Sequence, residues 1–177
     1  MSRWATRGLR GSNLEEMINR SNEKYRENGL ALIQKIPTPI TPMEIDKDSS
    51  RITLAYFDRK STVDYIGVVQ GVPLCFDAKE CAETTFALQN IHPHQVEFMR
   101  DFEKQEGVAF LLIHFTGLDV HYYLRFAELE RFWQRAEQGG RKSFRYDELD
   151  PDFILPEHRS IPVPYLDALN RDLAGRE

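Results

Sequence analysis

Cysteine is scarce in this chain of 177 residues: Cys75 and Cys81 are the only two. Two thiols cannot build a disulfide scaffold, and these two lack the paired spacing of a zinc site. No apolar run approaches the roughly 18 residues of a membrane-spanning helix, and the N-terminus carries no apolar signal-like stretch. No internal repeat or low-complexity tract appears, so solenoid architectures are excluded. Positive charge is not in excess either. Lys and Arg total 23 against 28 Asp and Glu, a formal charge of −5. A polyanionic partner would therefore have to be met by local patches rather than by the average field. What is present suits an intracellular, cytoplasmic globular protein of one domain, since 41% hydrophobic residues over this length bury a real core.

Two basic patches stand out against the acidic background. Residues 1–11 hold Arg3, Arg7 and Arg10 with no acid, and Gly8 and Gly11 loosen the backbone. Gly139 to Arg145 forms a second basic loop, with Arg141, Lys142 and Arg145 around Phe144. Both patches fit solvated flexible segments, and both fit contacts to a nucleic-acid backbone. These six cations are the candidate DNA-binding residues.

The periodicities describe an α/β chain. Ser12-Asn13 starts a helix with Glu15 and Glu16 in its first turn and Leu14, Met17, Ile18, Ser21 and Tyr25 on one face. Leu30 to Ile36 reads as a strand. Pro37, Pro39 and Pro42 forbid a helix and favour an extended ribbon. Met43–Ile45 and Arg51–Phe57 follow as strand arms around a polar tip, so residues 37–57 read as a projecting β-arm. Thr62–Val69 and Pro73–Lys79 form a second pair, turning at Gln70-Gly71. Pro93 opens a helix with Gln95, Met99 and Phe102 on one stripe. Val108–Phe115 is a nearly continuous apolar run, as in a strand buried on both faces. Val120–Phe126 is a further strand. Helices follow around Leu129, Phe132, Trp133 and Ala136, and after Pro164. Phe132 and Trp133 read as core, not as base-stacking platforms.

The chemistry sits in Thr62-Val63-Asp64-Tyr65-Ile66-Gly67 and Phe76-Asp77-Ala78-Lys79. Alternation puts Asp77 and Lys79 on one face of their strand. If Asp64 lies on the neighbouring strand, two carboxylates face each other at roughly 5 Å. Like charges that close need a proton or cation between them, and magnesium takes oxygen ligands while keeping water. Lys79 is placed to oppose charge developing on a phosphate. Gln95, on a buried stripe, either caps a backbone group or turns its amide oxygen to a metal. His92 and His94 have no partner pair at zinc spacing and read as caps of the loop-to-helix junction. Glu15 reads as an acid favoured by the helix dipole. An acid there also reaches the metal in some enzymes with this pattern.

The isolated acid followed by Asp-x-Lys resembles the PD-(D/E)xK phosphodiesterase core. The chain as a whole resembles the RecU-type Holliday junction resolvases. The matching text runs from Leu14-Glu15-Glu16 and Tyr25-Arg26-Glu27 through Lys35-Ile36-Pro37-Thr38-Pro39, Ala55-Tyr56-Phe57 and both acid motifs. It continues in Phe86–Gln95, Phe132-Trp133 and Gly140-Arg141-Lys142-Ser143. The resemblance implies a restriction-endonuclease-like core, a mixed central sheet flanked by helices, with residues 37–57 as a protruding stalk and 1–177 as a single nuclease domain. It implies magnesium, with manganese as a substitute, held by Thr62, Asp64, Asp77 and Gln95, and Lys79 as the transition-state-stabilising residue. It further implies a homodimer that nicks a four-way DNA junction symmetrically, with recombinase or branch-migration proteins as further partners. Two departures are visible. Asp77 replaces the usual glutamate, and Ile66 the asparagine that often follows Asp-Tyr. The alternatives are a nuclease of the same superfamily that acts on other DNA, and a non-catalytic junction-binding protein that modulates recombination.

Overall fold

A ladder of four aromatic rings organises the centre of the protein. The computed structural model describes residues 12–57 and 62–176. In it, strands β1 (Leu32–Lys35), β4 (Tyr65–Val69), β5 (Val72–Cys81), β7 (Val108–Phe115) and β8 (Val120–Arg125) form one sheet in the order β1-β4-β5-β7-β8. Only β5 and β7 are parallel; the other neighbours are antiparallel. Register sets Tyr65 opposite Phe76 and Phe76 opposite Phe110. Their rings stack at 4.7 and 4.8 Å, and Phe110 continues onto Tyr123 at 4.2 Å. Each such pair stabilises by roughly 0.5–1.5 kcal/mol beyond its buried area. All eight residues of β7 are buried, as its nearly continuous apolar run leads one to expect, with His114 the one polar side chain among them.

Helices flank this sheet. Helix α1 (Ser12–Glu27) buries Leu14, Ile18 and Tyr25 and packs on β1 and β5. Helix α4 (Tyr165–Ala174) sets Tyr165 against Tyr25 and Phe76. Helix α2 (Pro93–Lys104) packs on β5 and β7, and α3 (Phe126–Glu137) on β7 and β8. This mixed central sheet flanked by helices is the expected α/β arrangement. Among the described residues, no helix is long and apolar enough to cross a membrane.

Three segments depart from the reading of the sequence. Strand β4 begins at Tyr65, not Thr62. The Asp64 carboxylate takes the Ala78 amide and the Asp64 amide donates to the Asp77 carboxylate, so side-chain bonds replace the ladder there. Strand β2 (Ile40–Asp46) starts inside the proline ribbon and pairs with β3 (Arg51–Phe57) as a separate two-stranded sheet. Both strands are edges, so Pro42 forfeits no necessary ladder bond, and the register shifts just after it. Finally, the basic loop is shorter than expected. Ser143–Arg145 is strand β9, paired with β6 (Thr85–Ala87), because Phe144 is buried on Phe86 and Phe132.

Gly67 is fixed by close approach: a Cβ there would lie 2.3 Å from the Leu32 carbonyl oxygen and 2.8 Å from Ile33 Cα. At the far end of the sheet, His114 and His121 pair across β7 and β8 and stack at 4.3 Å. Glu80 and Asp119 stand beside His114. Burial, then His114, pushes His121 down to about 4, and its Nε2 is buried without a hydrogen-bond partner. A histidine held neutral in the fold stabilises above its ordinary pKa near 6.5, and that stability is lost as pH falls through about 4. Replacing His121 with Gln is expected to flatten the acid arm of the stability curve by roughly 2 kcal/mol. Urea melts of both proteins across pH 7 to 4 measure it; parallel curves would refute it.

Candidate functional site

The two acids meet through the backbone as well as through their charges. Asp77 sits within β5 and is fully buried, while Asp64 immediately precedes β4. The Asp64 amide donates to Asp77 Oδ1 at 3.1 Å, and the Ala78 amide donates to Asp64 Oδ2 at 3.0 Å. These bonds cross-link the two motifs more tightly than a simple cross-strand pair does. They are held from behind by the Tyr65–Phe76 stack, one residue on from Asp64 and one before Asp77. The Tyr65 hydroxyl in turn donates to Asn19 Oδ1 of α1 at 3.1 Å.

Electrostatics follow from that closeness. Burial first, then the neighbouring Asp77 carboxylate, pushes the Asp64 carboxyl up to about 7. Lys79 Nζ lies 2.5 Å from Asp77 Oδ2, an ion-pair distance. The contact is not angled as a hydrogen bond, so that buried oxygen has no hydrogen-bond partner. One lysine thus faces two carboxylates, and an oxygen is left for a second positive group. Among the described residues no group of three or more His, Cys, Asp or Glu side chains is arranged for a metal ion. The set named from the sequence has only two carboxylates, with hydroxyl and amide oxygens as its other donors.

The remaining expected residues fall as follows. Thr62 is half-buried, two residues before Asp64. Gln95 is buried, and its Oε1 accepts the His92 backbone N–H at 3.0 Å. The capping role weighed for Gln95 is therefore present, and the second lone pair of that oxygen is not used by this bond. The Glu15 carboxylate meets Lys35 Nζ at 2.5 Å, bridging α1 and β1. Arg141 reaches Glu148 at 3.4 Å and Arg145 reaches Asp147 at 3.0 Å, so part of the second basic patch is internally paired. Lys142 has no carboxylate partner among the described residues. Arg3, Arg7 and Arg10 lie outside the described residues. What the sequence did not disclose are the Asp64 and Ala78 amides and the Asn19 anchor. Backbone donors leave no residue signature, and Asn19 is an unremarked polar position on the first helix.

A buried Asp77 and a half-buried Asp64 beside Lys79, at a central strand of a mixed sheet, match the Asp and Asp-x-Lys elements read from the sequence. The model of the family RecU, Recombination protein U, matches residues 9–171. The chain belongs to that family. It is 43% identical over 172 residues to the Holliday junction resolvase RecU of Levilactobacillus brevis, covering 94% of this chain and 86% of that protein. It is 40% identical over 169 residues to the Holliday junction resolvase RecU of Pediococcus pentosaceus, covering 93% and 84%. Among solved structures, Hjc, a Holliday junction resolvase of Archaeoglobus fulgidus, is similar with a TM-score of 0.40 at 10% identity. That match covers 67% of this chain and 74% of Hjc.

Proposed function

We propose that this protein is a Holliday junction resolvase, an endodeoxyribonuclease that cuts four-way DNA junctions in recombination and repair. The observation that carries the chemistry is the cross-linked Asp64–Asp77 pair with Lys79 at its side. We assign a divalent cation, magnesium with manganese as a substitute, to the oxygens of Asp64 and Asp77, with Thr62 and Gln95 as further donors. The buried Asp77 Oδ2 without a hydrogen-bond donor and the excess of carboxylate over lysine fit such an ion. When bound, it supplies an activated water and neutralises charge at the scissile phosphate.

The chain's own groups do the rest. The Asp64 and Ala78 amides hold both carboxylates in place before substrate arrives, so little reorganisation accompanies the reaction. The raised Asp64 carboxyl keeps a proton near neutrality and releases it when positive charge enters the site. Lys79, extended from the same face of β5 as Asp77, opposes charge that builds on the phosphate oxygens. Residues 37–57 form the stalk of a single nuclease domain in this reading. Support comes from the β2–β3 hairpin, which pairs with no other strand and exposes Ile45, Ile52, Leu54 and Tyr56. The tail of residues 1–11 and Arg141, Lys142 and Arg145 contact DNA backbone. A homodimer presents two such sites to symmetric strands in the cytoplasm, alongside recombinase or branch-migration proteins.

The test compares a synthetic four-way junction with a linear duplex of matched sequence, each with magnesium or with EDTA. Paired, metal-dependent nicks near the branch and none on the duplex are expected. Equal cutting of duplex moves the protein to another nuclease class, and tight binding without cutting makes it a non-catalytic junction binder.

A further inference from the structure

Most rings in this part of the fold are partnered. Phe86 stacks on Phe144 and Phe144 on Phe132, and the Arg131 and Arg135 guanidiniums lie over Phe132. Trp133, the next residue on α3, packs against the core as expected but is only half-buried. Among the described residues, no ring or guanidinium stacks on its indole. It instead lines a cavity of about 860 Å3, together with Leu88, Ile91, Pro93 and Ala136. Its N–H donates to Glu137 Oε1 at 3.2 Å, which fixes the tilt of the ring. Glu137 and Lys142 are the charged residues of the lining.

The topology ties this cavity to the acid pair. Strands β5 and β7 are parallel and joined through α2, so α2 begins at the carboxyl end of β5. Asp77 and Lys79 lie toward that end. His92 and Pro93 line the cavity, and His92 donates its backbone N–H to Gln95 in the first turn of the same helix. Cavity and carboxylates therefore share one end of the sheet, where open α/β sheets take their ligands.

We propose that this cavity receives one unstacked nucleobase of the DNA strand beside the cut. The assignment rests on the resolvase reading above and adds to it a determinant of cut-site choice. The volume falls within the roughly 300–1,000 Å3 typical of small-molecule sites. An indole face on which no other described ring or guanidinium stacks can take any base, and apolar neighbours accept a neutral planar ring. Glu137 repels a phosphate from the interior, whereas Lys142 pairs with the phosphate that flanks the inserted base. A base next to a branch point is cheaper to unstack than one inside a continuous duplex.

The chain has two tryptophans, so Trp4→Phe leaves Trp133 as the single indole reporter. This variant is titrated, in EDTA, with an intact junction and with junctions carrying one abasic site at each position flanking the cut. A saturating change in Trp133 fluorescence is expected with the intact junction and is expected to vanish for one abasic position. With magnesium, Trp133→Leu is expected to lower kcat/KM about tenfold and flatten the preference at that position. Trp133→Phe is expected to retain most of both. An identical fluorescence response to every abasic junction overturns the proposal, as does wild-type rate and preference in Trp133→Leu. The fluorescence is read without cleavage. A wild-type protein that binds the junction but never cuts it therefore defeats the resolvase reading and leaves this one to be judged on its own signal.

Discussion

Replacing Asp77 with Ala is expected to lower junction cleavage roughly a thousandfold or more while leaving junction binding near the wild-type level. In the proposed site the buried Asp77 carboxylate serves the reaction, whereas affinity for branched DNA would rest on backbone contacts elsewhere. The stability of the metal-free protein adds a second readout. The raised Asp64 carboxyl disfavours the folded state as pH rises from the ordinary carboxylate range through about 7. The Asp77 charge is part of the cause, so its removal relieves the penalty. Asp77→Asn keeps an oxygen to accept the Asp64 amide and is expected to melt no lower than wild type above neutrality. Gel-based cleavage and binding assays, with thermal melts in EDTA, check both parts. Cleavage retained at the wild-type rate, or loss of junction binding in a folded Asp77→Asn, would refute the site.

Lys79→Ala separates the lysine from the metal ligands. Its ammonium lies 2.5 Å from Asp77 Oδ2. Without it, the two carboxylates attract a divalent cation with no competing charge beside them. Cleavage is expected to fall roughly a hundred- to a thousandfold. Manganese affinity, followed by thermal shift well above neutrality, is expected to be unchanged or several times tighter. A parallel loss of metal affinity and rate would instead make Lys79 part of the metal-holding set.

The legibility of this chain was uneven for physical reasons. Asp77, Ala78 and Lys79 were readable because a strand alternates its side chains and β5 is regular through them. The buried residues of β7 were readable from an apolar run that only His114 interrupts. Asp64 was assigned to a strand and stands just before one, since its carboxylate competes with the ladder for the Ala78 amide. That competition depends on a partner fourteen positions away and has no local signature. Ser143–Arg145 was read as loop because its charges dominate the composition, whereas its conformation is decided by the single buried ring of Phe144. Trp133 was read only in part, since it packs against the core but stays half-buried. Helical spacing put it on an apolar stripe, but the stripe is wider than the surface that α3 has to cover. The assignment of Thr62 and Gln95 to a cation came from family resemblance alone, because a hydroxyl and an amide carry no charge pattern to read.

The self-contained hairpin of β2 and β3 has a consequence for how such an enzyme is modified. Its strands pair with each other and with no strand of the main sheet. Insertions or deletions between Asp46 and Arg51 change the reach of the arm without shifting the register of Asp64 against Asp77. In the proposed reading, the arm that meets the shape of the substrate and the acid pair that breaks the bond are separate modules. Each is free to drift, be shortened or be transplanted while the other keeps its form.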